Sequence, residues 1–365
     1  MKVAIVHDFL LKLGGAERVT KVFSDMFPNA PIYTLLYDEK VVGKVFPKEK
    51  VRTSFLQKYP DLIKKRHRFL THKMPQAIEE MNLGEFDLVL SSSNAFAHGA
   101  LTNSDTKHIC YCHSPMRYAW DWSNEYQKEN NIKGLKKIAY ALLMRKLREW
   151  DRVAADRPDF YIANSAHVSK RVKKYYNMES TVLYPPVDVE RFRAVKENAG
   201  YFLIISTLTP YKKIDLAVQL FNKIGRKLVI IGEGSQKKYL QEIAGDNIDF
   251  LGFKSDKDVK TYLENCRALI FPGEEDFGIV PVEAMACGKP VLAYGKGGVT
   301  ETVIPGETGE FFYEPTVEAM EDGLGRLMYN ERLYKPRNIR SHAMQFSREE
   351  FEKKMRRLIS RFCSC

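Results

Sequence analysis

The sequence predicts an α/β protein made of two doubly wound, parallel-sheet domains. Three observations carry that expectation. Short, near-continuous β-branched runs recur along the chain, amphipathic stretches lie between them, and prolines interrupt the series once near the middle. Apolar strands alternating with helices imply sheets buried on both faces. A length of 365 residues is too great for one ordinary core and sufficient for two.

In the first half the strand runs are residues 3–6, 32–36, 88–90, 109–112, 161–163 and 181–184. Helical periodicity occupies residues 16–26, 135–155 and 168–176. Two prolines at Pro185-Pro186 cannot continue a central strand and close this series. After the polar stretch 191–200 the second series begins, with strands at 202–206, 228–231, 248–251, 268–271 and 290–294. Its helices are expected at 216–224, 236–244 and 259–266. The domains are therefore expected at 1–187 and 188–346. A charged helical tail over 347–365 follows, and its packing is left open.

Composition narrows the function classes. Hydrophobic content of 44% and charged content of 28% exclude wholesale disorder. No apolar run approaches the ~20 residues needed to span a bilayer. The N-terminus reads as a strand and not as a secretory signal. Six scattered cysteines form no disulfide framework, which fits a cytoplasmic protein. Net charge is +11, and residues 1–180 hold 30 Lys/Arg against 20 Asp/Glu, whereas the remainder holds 27 against 26. The basic excess thus belongs to the first half and points to an anionic partner or a solvated basic surface.

Ligands of open α/β sheets bind beyond the carboxyl ends of the strands, and five segments stand there. Gly14-Gly15-Ala16-Glu17-Arg18 opens a helix, and its glycines let backbone N–H groups approach an anion. It is not G-x-G-x-x-G, which disfavours a dinucleotide dehydrogenase, and no phosphate-binding P-loop motif exists. His113 and Arg117 follow the strand run that ends in Cys110-Tyr111-Cys112 and are read as site residues. A zinc site is not expected there, because no second ligand cluster lies at finger spacing. Lys212 and Lys213 open a helix against its macrodipole, a conflict that a bound phosphate would remove. The segment from Pro272 to Gly288 carries Glu275 and Glu283, with Phe277-Gly278-Ile279 between them offering backbone N–H groups to phosphates. Gly295-Lys296-Gly297-Gly298 is a further strand-to-helix loop, read either as a close approach to a ligand or as a plain turn. Asp256-Lys257-Asp258 is read as helix capping and not as a metal motif.

With these residues in place, the whole chain resembles the retaining glycosyltransferases of family 4, whose GT-B fold sets two Rossmann-like domains across a cleft. Glu275 and Glu283 fit that family's E-x7-E motif. The Gly14-Gly15 loop, the His113 segment, Lys212 and the Gly297-Gly298 loop match in order. His113 to Asp121 and Glu274 to Glu283 are similar to bacterial mannosyltransferases of surface-polysaccharide assembly. The resemblance implies a GDP-mannose donor, a lipid-linked or lipid-anchored glycan acceptor and retention of the α configuration. It implies no metal and no cofactor beyond the nucleotide sugar. Lys212 would neutralise the departing phosphate, with Gly14, Gly15, Gly278 and Ile279 at the diphosphate. Glu275 would hold the sugar hydroxyls, Glu283 the ribose, and the His113 carbonyl would face the developing oxocarbenium ion. Thr207 stands where the family usually carries Arg, so Lys212 would grip the diphosphate alone or with Lys213 or Arg117 compensating. A UDP-sugar donor, or a non-catalytic sugar-nucleotide or nucleic-acid binder, are the rival readings, although no RNA-binding motif supports the last. Lys64, Lys65, Arg66 and Arg68 beside Phe69 and Leu70 suggest peripheral docking to an anionic membrane at its cytoplasmic face.

Overall fold

The computed structural model describes residues 1–64, 66–121, 127 and 134–363. The chain divides into two compact units, Met1–Pro186 with Phe351–Cys365, and Val187–Glu350. Each is a parallel sheet with helices between successive strands.

The first unit holds seven strands: β1 (Val3–Leu10), β2 (Ile32–Tyr37), β3 (Val51–Thr53), β4 (Leu88–Ser93), β5 (Lys107–Cys112), β6 (Phe160–Ala163) and β7 (Ser180–Val182). Their order is β3-β2-β1-β4-β5-β6-β7, so the direction of winding reverses between β1 and β4. β1 is buried over almost its whole length, as a central parallel strand must be. The register pairs His7 of β1 with Ser92 of β4 and Ser93 with Cys112 of β5. Three polar strand ends therefore lie side by side at the switch point, where the ligand of an open α/β sheet belongs.

The second unit repeats the plan with six strands: β8 (Phe202–Ile205), β9 (Leu228–Ile231), β10 (Ile248–Gly252), β11 (Ala268–Phe271), β12 (Val291–Tyr294) and β13 (Gly309–Phe312). The order β10-β9-β8-β11-β12-β13 puts its switch point between β8 and β11. The loops that follow those two strands carry Lys212 and Glu275. Doubly wound parallel sheets in both units match the expected fold class.

The helix Arg348–Cys363 closes the chain. Its Phe351, Met355, Ile359 and Phe362 are buried in the core of the first unit with Ile5, Val19, Phe23 and Tyr111. The ring centroid of Phe351 is 6.0 Å from that of Phe23 and 5.8 Å from that of Tyr111. The charged tail thus carries an apolar stripe at helical spacing, with its charges on the opposite side.

Candidate active site

In the second unit the site is built by loop against loop. A Cβ on Gly273 would sit 2.8 Å from the Cα of Lys212, so only glycine lets the loop after β11 pass so close to the loop after β8. That approach brings the Lys212 Nζ into an ion pair with the Glu275 carboxylate. Lys212 is 8% exposed, and its ammonium also lies 4.8 Å from the Tyr211 ring centroid. Gly297 (φ +79°) and Gly298 press on the same loop: a Cβ at either would lie 2.3 Å or less from the carbonyl oxygen of Glu275 or Asp276. The Gly298 N–H donates to the Glu275 carbonyl at 2.8 Å. These glycines therefore serve the backbone that presents Glu275.

Gly278 (φ +88°) turns the chain into the helix Ile279–Ala286, leaving the N–H groups of Gly278 and Ile279 at its start. Phe277 is buried, its ring edge-on to Phe346 at 5.8 Å, so its side chain is a core anchor for this turn. Glu283 lies on that helix, 7% exposed, and its carboxylate accepts from Arg191 Nη2 at 3.2 Å. Arg191 also reaches Asp256 at 3.3 Å. Asp256 begins a helix whose cap is Ser255, with Asp258 N–H donating to Ser255 Oγ at 3.2 Å. Asp256 and Asp258 stand in the first turn behind that cap, and Asp256 shares the Arg191 cation with Glu283. Thr207 and Lys213 are exposed, and Lys213 takes a left-handed φ of +53° at the start of the helix Ile214–Ile224.

In the first unit, the polar ends of β1, β4 and β5 form one buried chain of contacts. The Gly14 N–H donates to Glu17 Oε2 at 2.9 Å. Glu17 Oε1 is 4.0 Å from His7 Nε2, and His7 Nδ1 is 3.0 Å from the Ser92 carbonyl and 3.2 Å from its Oγ. Ser92 Oγ accepts from Thr20 Oγ1 at 3.1 Å and lies 2.8 Å from His113 Nε2. Burial pulls the pKa of His7 down, but the nearby negative charge of Glu17, with Asp8 and the Ser92 carbonyl, outweighs it and the net shift is upward. Burial likewise pushes Glu17 up, and His7 more than reverses this, leaving the carboxylate below its usual range. Glu17 stands in the Gly14 segment, whereas His7 and Ser92 escape a motif reading; their one signal is that β1 and β4 continue from apolar residues into polar ones.

The His113 carbonyl accepts from Asn164 Nδ2 at 3.0 Å, which fixes its direction. The segment after it is clamped from the helix Ala166–Tyr176: Arg171 donates to Ser114 Oγ at 2.7 Å and pairs with Asp121 at 2.6 Å. Arg117, within that segment, is half-buried. Gly14 is half-buried and Gly15 exposed. Among the described residues no three His, Cys, Asp or Glu side chains converge as a metal site. Cys110 and Cys112 are buried, and burial pushes the Cys110 thiol up to about 12.

Two family models match the chain in succession: Glycosyltransferase Family 4 over residues 13–191 and Glycosyl transferases group 1 over residues 188–345. An uncharacterized glycosyltransferase of Methanocaldococcus jannaschii is 27% identical over 212 residues, covering 56% of this chain and 59% of that protein. The alpha-1,3/1,6-mannosyltransferase ALG2 of Dictyostelium discoideum is 24% identical over 273 residues, 62% of each chain. The chain thus spans about three fifths of the length of both relatives. The crystal structure of Anabaena HepE in complex with UDP matches with a TM-score of 0.72 at 17% identity, over 99% of this chain and 100% of that one, a likeness of fold.

Proposed function

The chain belongs to the glycosyltransferases of group 1 and family 4, and from that premise we propose that it transfers mannose from GDP-mannose to a hydroxyl of a lipid-linked glycan, with retention at the anomeric carbon. The observation that carries this reading is the Lys212–Glu275 pair with Glu283 on the adjoining helix. A largely buried ammonium is suited to a diphosphate, where charge develops as the donor bond breaks. In the proposed reaction Lys212 exchanges the Glu275 carboxylate for phosphate oxygens, aided by the N–H groups of Gly278 and Ile279. Glu275 then turns to the sugar hydroxyls. Glu283, held by Arg191, takes the ribose hydroxyls. Gly14 and Gly15 are assigned to the diphosphate and Arg117 and His113 to the sugar, with the His113 carbonyl given the role of stabilising the developing positive charge. No side chain is assigned as a covalent nucleophile; the leaving phosphate oxygen accepts the acceptor's proton. Lys213 supplies a second, solvated cation in place of the usual Arg at Thr207. The mannosyltransferase relatives support the sugar.

A second reading, a UDP-sugar donor, is favoured by the structural neighbour bound to UDP. Thermal shift separates them. A nucleotide at 100 times its dissociation constant adds ~2.7 kcal/mol of stability. GDP and GDP-mannose are expected to raise the melting temperature more than UDP and UDP-glucose, and the reverse order would transfer the assignment to a UDP sugar.

The lipid-linked acceptor rests on the basic first unit. Arg66, Arg68, Phe69 and Leu62 are exposed, the last two at 69% and 71%. Two members of the expected docking set require correction. Leu70 is buried with Leu56 and Met74, because core packing takes the apolar side chain that the turn can turn inward. Lys64 is paired with Asp61 at 2.8 Å, which cancels much of its attraction to anions. Lys65 lies outside the described residues. No described helix is long and apolar enough to cross a membrane.

A further inference from the structure

We propose that Arg191 is the positioning residue for Glu283, and that through this pair the site selects ribonucleotide donors over deoxyribonucleotide ones. The proposal rests on the assignment of Glu283 to the ribose hydroxyls, and the structure supplies what holds that carboxylate. Glu283 has little access to water, and a carboxylate so placed stays charged only with hydrogen bonds and a cation beside it. Arg191 supplies the cation, with Nη2 3.2 Å from Glu283 Oε1. The other end of the fork, Nη1, lies 3.3 Å from Asp256 Oδ2 on a different helix. The guanidinium carbon is 4.5 Å from the Phe192 ring centroid. Arg191 Nε is buried without a hydrogen-bond partner among the described residues, so the two Nη ends and the ring contact hold the group.

One further side chain fixes this placement. Arg191 ends the 3₁₀ turn Val189–Arg191, whereas Glu283 stands on the helix Ile279–Ala286. Arg340, on the helix Pro336–Ala343, joins the two: its Nη1 is 2.7 Å from the Phe192 carbonyl and 2.9 Å from the Ala286 carbonyl. The backbone that carries Arg191 and the end of the helix behind Glu283 are thus held to one guanidinium. Arg191, Asp256, Glu283 and Arg340 all belong to the second unit. An exposed ion pair would fix little. Here the Arg191 and Glu283 side chains are only 19% and 9% exposed. Without Arg191, Glu283 turns toward water or takes up a proton, and either change withdraws a charged acceptor from the ribose. The loss falls on the ribose alone, because a nucleotide without its hydroxyls has no bond there to lose. A merely structural arginine would instead weaken every nucleotide equally.

The test is calorimetric titration of the full-length protein with GDP and with its 2′,3′-dideoxy analogue, read as the ratio of the two dissociation constants. Wild type is expected to prefer GDP by about tenfold or more, the size of a hydrogen bond to a charged group. Arg191→Met should reduce the ratio to about twofold or less, and Arg191→Lys, which keeps the charge but loses the fork, should lower it at least about threefold. Glu283→Ala should lower it as well, and adding Arg191→Met to that variant should lower it no further. A wild-type ratio in either Arg191 variant overturns the proposal. So does a further fall in the double variant, which would show Arg191 acting on the nucleotide by itself. Arg191→Lys keeps an apolar stem beside Phe192 and carries the test if Arg191→Met fails to fold. A wild type that binds both forms alike removes the ribose from Glu283 and the proposal with it. Discrimination that survives without Arg191 overturns the proposal and leaves the ribose assignment standing. If UDP binds and GDP does not, the same ratio is taken with UDP and its dideoxy analogue, so the identity of the base is not at stake. Binding of neither nucleotide overturns both the donor reading and the proposal.

Discussion

Lys212 illustrates how one side chain connects packing to chemistry. An ammonium with little access to water is tolerated only beside an anion, and here Glu275 is that anion. The proposed reaction uses the same requirement, because a donor diphosphate offers more charge than one carboxylate. The loops of Lys212 and Glu275 and the helix that carries Glu283 could be singled out in the sequence, since strand-end segments with constrained neighbours are few. Arg191 could not be, because it contacts Glu283 across 92 positions and carries no motif. Histidines divide in the same way. His108 is fully buried with Nε2 2.8 Å from Ser91 Oγ, and burial, with smaller contributions from His98 and Arg157, lowers its pKa to about 3. The unfolded chain takes this proton near 6.5 and the folded one does not. Stability is therefore fully present above pH 6.5 and falls as pH drops toward 3, by about 1.4 kcal/mol per unit. His108→Asn keeps a polar group for Ser91 and cannot titrate. Urea unfolding at pH 7.5 and pH 5.0 is expected to differ by roughly 2 kcal/mol less in the variant than in wild type. An unchanged difference would mean that His108 is protonated in the folded protein.

At the scale of elements, the apolar runs marked the cores of the strands and stopped short where strands turn polar. β1 runs on through His7 and Asp8, and β4 through Ser91, Ser92 and Ser93, all buried. A strand pattern based on hydrophobicity ends where the buried polar network begins. β3 and β13 escaped notice at the sheet edges, one because it has three residues and the other because it opens on Gly309. The C-terminal helix was legible as a helix, but its packing depends on a face that only the folded first unit can complete. Phe351, 2% exposed between Phe23 and Tyr111, gives the measure of that contact. Phe351→Ala is expected to lower the unfolding free energy by ~3–5 kcal/mol in denaturant titration. A loss within ~0.5 kcal/mol, as at an ordinary surface position, would place the helix outside the core.

Over the whole molecule the charge is asymmetric: of the net +11, +10 belongs to residues 1–180. Each cation near an anionic bilayer contributes ~1 kcal/mol, decaying within a Debye length of about 10 Å at 0.1 M salt. Binding to vesicles containing anionic lipid is expected at roughly 50 mM salt and release near 0.5 M. Exchange of Arg66, Arg68 and Phe69 for Ser should weaken it, and Lys64→Ser alone should not, given its partner Asp61. Sedimentation with vesicles measures this, and indifference to anionic lipid would favour a soluble acceptor. The central claim, retaining transfer from GDP-mannose, is tested most directly by proton NMR of the donor turning over with water as acceptor. GDP-mannose should be consumed slowly, with α-mannose formed before mutarotation supplies the β anomer. Glu275→Ala should slow this at least ~100-fold, and Glu283→Ala should act mainly through donor KM. Initial release of β-mannose, or undiminished turnover by Glu275→Ala, would contradict the account.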